Sequence, residues 1–123
     1  TIIASGICVA DACRVADKLA DEGIHVRVLD MFTIKPIDKK AIIKASKETG
    51  AIVTVENHNI MNGLGSAVSE VLSEQAPCRM KRLGAPDCFG EVGTVPFLKE
   101  KYHMAEKDIE EAVKSLVSKK DVA

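Results

Sequence analysis

Ile52-Val53-Thr54-Val55-Glu56-Asn57-His58-Asn59-Ile60-Met61-Asn62-Gly63-Leu64-Gly65-Ser66-Ala67-Val68 carries more information than any other stretch of this 123-residue chain. An apolar, β-branched run leads into a polar turn and then into a glycine-flanked helix start. Such a strand–turn–helix places a carboxylate, an imidazole and free backbone N–H groups at the carboxyl end of a strand. Open α/β sheets bind their ligands there. Three roles fit: an active site, an anion site, or a rigid corner of an interface.

The flanking sequence repeats the alternation. Residues 1–7 form a short apolar strand around Ile2 and Ile3. Val9, Ala12, Cys13, Ala16, Leu19 and Ala20 then recur at helical spacing, with Asp11, Arg14, Asp17, Lys18 and Asp21 opposite. Gly23 suits a left-handed helix end, and residues 25–31 alternate as a strand. Pro36 keeps Lys35 out of helical geometry, so 32–37 is a loop. Asp38 is placed to cap a helix running to Thr49 and closed by Gly50. Residues 51–55 form the third strand, 64–75 a helix, and 78–83 a fourth strand after Pro77. Residues 84–93 are a loop, followed by helices over 95–102 and 106–118, and 119–123 is expected to fray. Short strands alternating with amphipathic helices predict a three-layer α/β/α fold with a mainly parallel, doubly wound sheet. Right-handed crossovers on both faces give the strand order 2-1-3-4, with the switch point between strands 1 and 3.

Composition removes several function classes. A net charge of −1 supplies no field for nucleic acid or an anionic membrane. Aromatic residues at 3% leave little with which to stack bases. The cysteines Cys8, Cys13, Cys78 and Cys88 form no CxxC pair, which argues against a zinc cluster. Cys8 and Cys13 read as small core residues of a reduced, cytoplasmic protein. No apolar run reaches membrane-spanning length. The chain opens directly on an apolar strand with no initiating Met, so we expect a single domain cut from something longer.

The residues that carry chemistry concentrate in the opening stretch. Glu56 and His58, two apart in an extended turn, project to one side, and a carboxylate there could orient the ring for acid–base work. The plainer alternative has Glu56 capping nearby N–H groups and His58 bracing the loop, since no nucleophile or metal-ligand set accompanies them. Gly63, Gly65 and Ser66 open a helix whose N-terminus suits an anion, or whose glycines permit tight packing on the strand. Asn59 belongs to the same crevice or interface. Lys35 could reach a phosphate or stay solvated. Asp87, Glu91 and His103 are too scattered to form a metal site, and His25 reads as a surface residue.

These segments together resemble the C-terminal domain of transketolase-like thiamine diphosphate enzymes. Residues 28–38, with Ile34-Lys35-Pro36-Ile37-Asp38, are similar to that family's strand and Ile-Lys-Pro-Ile/Leu-Asp loop. Val53-Thr54-Val55-Glu56-Asn57-His58 resembles its Val-Glu-acidic-His turn, and Gly63-Leu64-Gly65-Ser66-Ala67-Val68 its glycine-rich helix start. Asp87-Cys88-Phe89-Gly90-Glu91-Val92-Gly93 resembles its Asp-Arg-Phe-Gly-Glu-Ser-Gly loop. Asn57, Asn62, Cys88 and Val92 depart from the usual acidic, glycine, basic and serine residues.

The resemblance implies a parent transferase that moves two-carbon ketol units between sugar phosphates, as in the pentose phosphate pathway. Thiamine diphosphate and Mg²⁺ would be bound by two other α/β modules, while this one supports dimerisation. It also implies a preceding antiparallel edge strand before Thr1, and partner domains or an N-terminal subunit in a homodimer or heterotetramer. The chain has no Gly-Asp-Gly followed by Asn, so we expect no catalytic, cofactor-binding or metal-binding residue in it. 1-Deoxyxylulose-5-phosphate synthase and the beta subunits of 2-oxoacid dehydrogenases are the competing relatives. A free-standing small-anion-binding module and a purely structural dimerisation domain remain the alternatives of other classes.

Overall fold

The computed structural model describes residues 1–118. The expected fraying of 119–123 lies outside the described residues. The elements are β1 (Ile2–Ala4), α1 (Cys8–Asp21), β2 (Val28–Asp30), α2 (Lys39–Thr49), β3 (Ala51–Asn59), α3 (Leu64–Gln75), β4 (Arg79–Ala85), α4 (Val95–Lys101) and α5 (Glu106–Ser118). All strand pairs are parallel, in the order β2-β1-β3-β4, as the alternation predicts.

Both faces of the sheet are covered: β1 is apolar throughout, and β3 is apolar at Ala51, Ile52, Val53 and Val55. On β1, Ile2 and Ala4 face a layer built from Ala12, Val15 and Leu19 of α1 and Ile109, Ala112 and Leu116 of α5. Ile3, of the opposite parity, packs with Ile42 of α2 and Leu64, Val68 and Leu72 of α3. Strand β3 alternates likewise: Ala51, Val53 and Val55 join the α1/α5 layer, and Ile52 joins the α2/α3 layer. Each fully buried aliphatic side chain contributes about 1.5–3 kcal/mol. The two layers therefore fix strand register as well as stability.

Local chemistry ends the helices where the sequence places the signals. Asp38 Oδ1 accepts from Ala41 N at 3.0 Å, and Gly50 closes α2 with φ of 70°. Thr94 caps α4, accepting from Phe97 N at 3.4 Å.

Several expectations change. The first strand covers Ile2–Ala4 only, with Ile7 already at the N-cap of α1, and the fourth runs Arg79–Ala85, two residues into the expected loop. The second strand begins only at Val28; residues 24–27 are irregular and His25 is exposed. The third strand runs four residues past Val55, because pairing with β4 resumes at Asn59↔Ala85 after a register shift. The polar "turn" Glu56–His58 is thus strand. Cys13 is exposed rather than core, and Cys8 alone of the two is buried. Asp11, expected opposite the apolar stripe, is 4% exposed: three residues after Cys8 and four before Val15, it lies on the buried face of α1. Its surroundings come from α4, whose Lys99 ammonium pairs with the carboxylate alongside Arg14.

Candidate functional site

The period-2 geometry of β3 builds the site. Ile52, Thr54, Glu56 and His58 share one parity, the parity that faces α3. Glu56 is 2% exposed and its two carboxylate oxygens accept from the backbone of α3: Oε1 from Leu64 N at 2.8 Å, Oε2 from Gly65 N at 2.7 Å. The helix has no side-chain cap at Gly63 and no acidic residue in its first turn. Its orphan donors and positive dipole end are satisfied by a carboxylate from the preceding strand.

The glycines are explained by that contact. A methyl group on Gly63 would land in the Glu56 carboxylate and 2.7 Å from His58 Nδ1. One on Gly65 would come 2.9 Å from Thr54 Oγ1 and 3.0 Å from Arg82 Cδ. Both values lie inside normal contact distance, so the glycines let helix start and strand approach closely.

His58 is exposed, with Nδ1 2.7 Å from the Asn59 carbonyl oxygen and 3.5 Å from Glu56 Oε1. A carbonyl can only accept, so Nδ1 carries the hydrogen in this contact. Asn59 Oδ1 accepts from Met61 N at 2.8 Å, and Ser66 Oγ accepts from Asn62 N at 2.9 Å. Asn62 holds a left-handed backbone, φ 61°. Arg82, paired in register with Thr54, donates to the Ile60 carbonyl at 3.0 Å and reaches Ser66 Oγ at 3.4 Å.

The structure therefore brings together all six residues singled out in the sequence: Glu56, His58, Asn59, Gly63, Gly65 and Ser66. Glu56, His58 and Gly63 border a crevice of about 370 Å³ at the switch point, which Ser5, Gly6, Ile7 and Ile34 also line, while Asn59, Gly65 and Ser66 lie outside its lining. Thr54 and Arg82 belong to the same corner and were missed. The parity of Ile52 and Glu56 points to Thr54, but nothing local to Arg82 reveals its reach across to Ser66. Thr54 Oγ1 is buried without a hydrogen-bond partner.

Chemically the corner is closed. Both Glu56 oxygens are engaged by backbone donors, which leaves no lone carboxylate aimed at a substrate. The two N–H groups that an external anion would use at α3 already hold an internal one, so the anion expected at this helix end is the protein's own. Lys35 and Asp87 are exposed, Glu91 pairs with Lys101, and His103 Nδ1 lies 3.7 Å from Asp108. Among the described residues no group of three or more His, Cys, Asp or Glu gathers to hold a metal ion.

A parallel, doubly wound sheet with its switch-point corner braced by an internal carboxylate defines a small α/β domain. The family model described as "Transketolase, C-terminal domain" matches residues 1–109, and the chain belongs to that family. It is 44% identical over 121 residues to a 6-deoxy-6-sulfo-D-fructose transketolase subunit of Clostridium sp. (strain MSTE9), covering 98% of this chain and 38% of the relative. It is 40% identical over 117 residues to a 1-deoxy-D-xylulose-5-phosphate synthase of Heliobacterium modesticaldum (strain ATCC 51547 / Ice1), covering 94% of this chain and 18% of that protein. A solved chain titled "Split gene transketolase, inactive beta4 tetramer" superposes with a TM-score of 0.87 at 43% identity, over 95% of this chain and 37% of the other. The chain thus spans less than two-fifths of the length of these relatives.

Proposed function

We propose that the chain serves as the non-catalytic, assembly-supporting C-terminal unit of a transketolase-type enzyme. The parent reaction is transfer of a two-carbon ketol unit between sugar phosphates, in the cytoplasm, with thiamine diphosphate and Mg²⁺ held by other modules. The observation that carries this reading is the engagement of Glu56. The one buried carboxylate at the switch-point crevice is committed to Leu64 and Gly65, so the crevice holds a structural brace where an enzyme would hold a base. The relatives that include transketolase subunits support partner subunits, and the β4 title of the solved relative supports assembly with further copies.

Calorimetry of the isolated chain with thiamine diphosphate and Mg²⁺ tests the proposal. We expect no saturable heat. Binding in the micromolar range, lost on substitution of a crevice residue, overturns it.

A further inference from the structure

Asparagine followed by glycine is the least durable link of a polypeptide. The backbone nitrogen after the asparagine can attack its side-chain amide carbon, and glycine puts no Cβ in the way. The chain holds Asn57, Asn59 and Asn62, and of these Asn62 alone precedes a glycine.

The fold holds the three differently. Asn59 commits its Oδ1 to Met61 N, and the nitrogen after it, Ile60 N, donates to the Ala85 carbonyl at 2.8 Å. Asn57 lies inside β3 and precedes His58, whose ring crowds the approach. Asn62 is exposed, in the connection from β3 to α3. Its backbone N–H donates to Ser66 Oγ, but among the described residues its side-chain amide has no hydrogen-bond partner. Gly63 N, the attacking atom, likewise donates to no group among the described residues. It precedes the helix as N-cap, and the Glu56 carboxylate takes only the next two N–H groups. Neither reacting group therefore has a hydrogen bond to give up.

We propose that Asn62-Gly63 is a self-modification site whose product loosens the Glu56 brace. Gly63 N gives its proton to solvent and attacks Asn62 Cγ. A succinimide ring closes through the new N–Cγ bond while the Cγ–Nδ2 bond breaks, and Nδ2 takes up a proton and leaves as ammonia. Water then opens the ring: cleavage at Cγ gives aspartate, and cleavage at the main-chain carbonyl gives isoaspartate, whose main chain runs through Cβ and Cγ. Nothing is oxidised or reduced, and water is the one co-reactant.

Both products put a carboxylate into the crevice that Glu56, Asn62 and Gly63 line together, where like charges oppose each other. Isoaspartate also adds a methylene to the main chain directly before Gly63. Space is short there, since a Cβ on Gly63 would run into Glu56 Oε1 and lie 2.9 Å from its Cδ. Leu64 N and Gly65 N follow at once, so the added length falls on both hydrogen bonds of the brace. The site is independent of the assembly role proposed above.

Storage of the 123-residue chain at neutral pH and body temperature, followed by peptide mass analysis, is the test. The peptide holding Asn62 is expected to gain the mass of OH over NH₂ while Asn57 and Asn59 stay intact, and an isoaspartyl methyltransferase labels the aged chain. The isoaspartyl form, separated by ion exchange, should unfold in urea with an equilibrium constant raised about tenfold or more, as for loss of one hydrogen bond to a charged group. N62G, whose glycine accepts the φ of 61° found at that position, keeps the brace and stays unmodified in the same storage. Fresh N62D carries the charge without the methylene, and its stability should fall between the two. Conversion confined to urea-unfolded chain overturns the proposal, because the fold then protects the site. Faster conversion at Asn57 or Asn59 overturns it too, and so does an isoaspartyl form as stable as the fresh chain.

Discussion

At the scale of single residues, the corner around Glu56 makes a sharp energetic prediction. Glu56→Gln keeps one acceptor but turns an amide NH₂ toward a backbone N–H, so one buried donor loses its partner. The expected cost is about 1–3 kcal/mol, read as a fall in the urea midpoint at constant m. Gly63→Ala drives a methyl group into the carboxylate and should cost a similar amount, about 1–3 kcal/mol. The two effects are coupled through one contact. In a Glu56→Ala background the clash with the carboxylate disappears and only the exposed His58 ring, 2.7 Å away, has to shift, so Gly63→Ala should cost clearly less. Additive costs in that double-mutant cycle would sink the close-approach account of Gly63.

Cys8 gives a pH prediction with a definite sign. Burial pushes its thiol up from 9.0 to about 11; Lys99 opposes the shift, while Asp11 and Glu56 add to it. Between these values the unfolded thiol has released its proton and the folded one has not. The unfolded state then binds fewer protons, and stability falls as pH rises from about 9 to about 11. Stability curves of wild type and Cys8→Ala across that window should diverge by up to about 2–3 kcal/mol, with the variant flatter. Equal slopes would dismiss the buried thiol as a contributor. Much of this corner is legible in the sequence, since period 2 puts Glu56 and His58 on one side and the glycines announce close approach. The reach of Arg82 to Ser66 and the pairing of Asp11 with Lys99 are not, because those partners lie 16 and 88 residues away.

At the scale of elements, α4 is the unusual piece. None of its residues is buried, and Lys99, pairing with Asp11 of α1, anchors its middle. Lys99→Ala leaves Asp11 nearly buried with Arg14 alone. We expect amide exchange in Val95–Lys101 to accelerate well beyond the change in global stability, which should fall by about 2–4 kcal/mol. If exchange there follows global unfolding only, α4 is held by something other than this pair. Elements with strong local signals are placed well from sequence: α3 and α5 match their expected spans, each bounded by capping, proline or acidic cues. The strand ends are not, and the reason is pairing. β2 is confined to the three residues that pair with β1, whereas β3 and β4 both run on because Asn59 meets Ala85 beyond the register shift.

At the scale of the whole molecule, the two helical layers share β1 and β3, so neither can dissolve alone. Ile52→Ala in the α2/α3 layer should cost about 2–5 kcal/mol, and Val53→Ala in the α1/α5 layer somewhat less. In both, helix loss by circular dichroism and exposure of the Cys8 thiol should share one midpoint. Separate midpoints would mean the layers unfold independently. The layered order 2-1-3-4 follows from chain alternation and crossover handedness, whereas the concentration of apolar side chains at one end needs three dimensions. Phe32 and Phe89 are 57 positions apart, and only the sheet shows that they rim the same surface.

The Glu56 brace has one further consequence, for the order in which the chain folds. It joins a strand to the helix that follows it across only 8 and 9 residues, while β1 pairs with β3 from some fifty residues away. Contacts so close in sequence have little loop entropy to overcome before they form. The β3–α3 unit is therefore suited to be the folding nucleus on which β1 and then β2 assemble. A stretch that looked like a place for catalysis would on that account matter most in the first moments of the chain's life, before there is any enzyme for it to belong to.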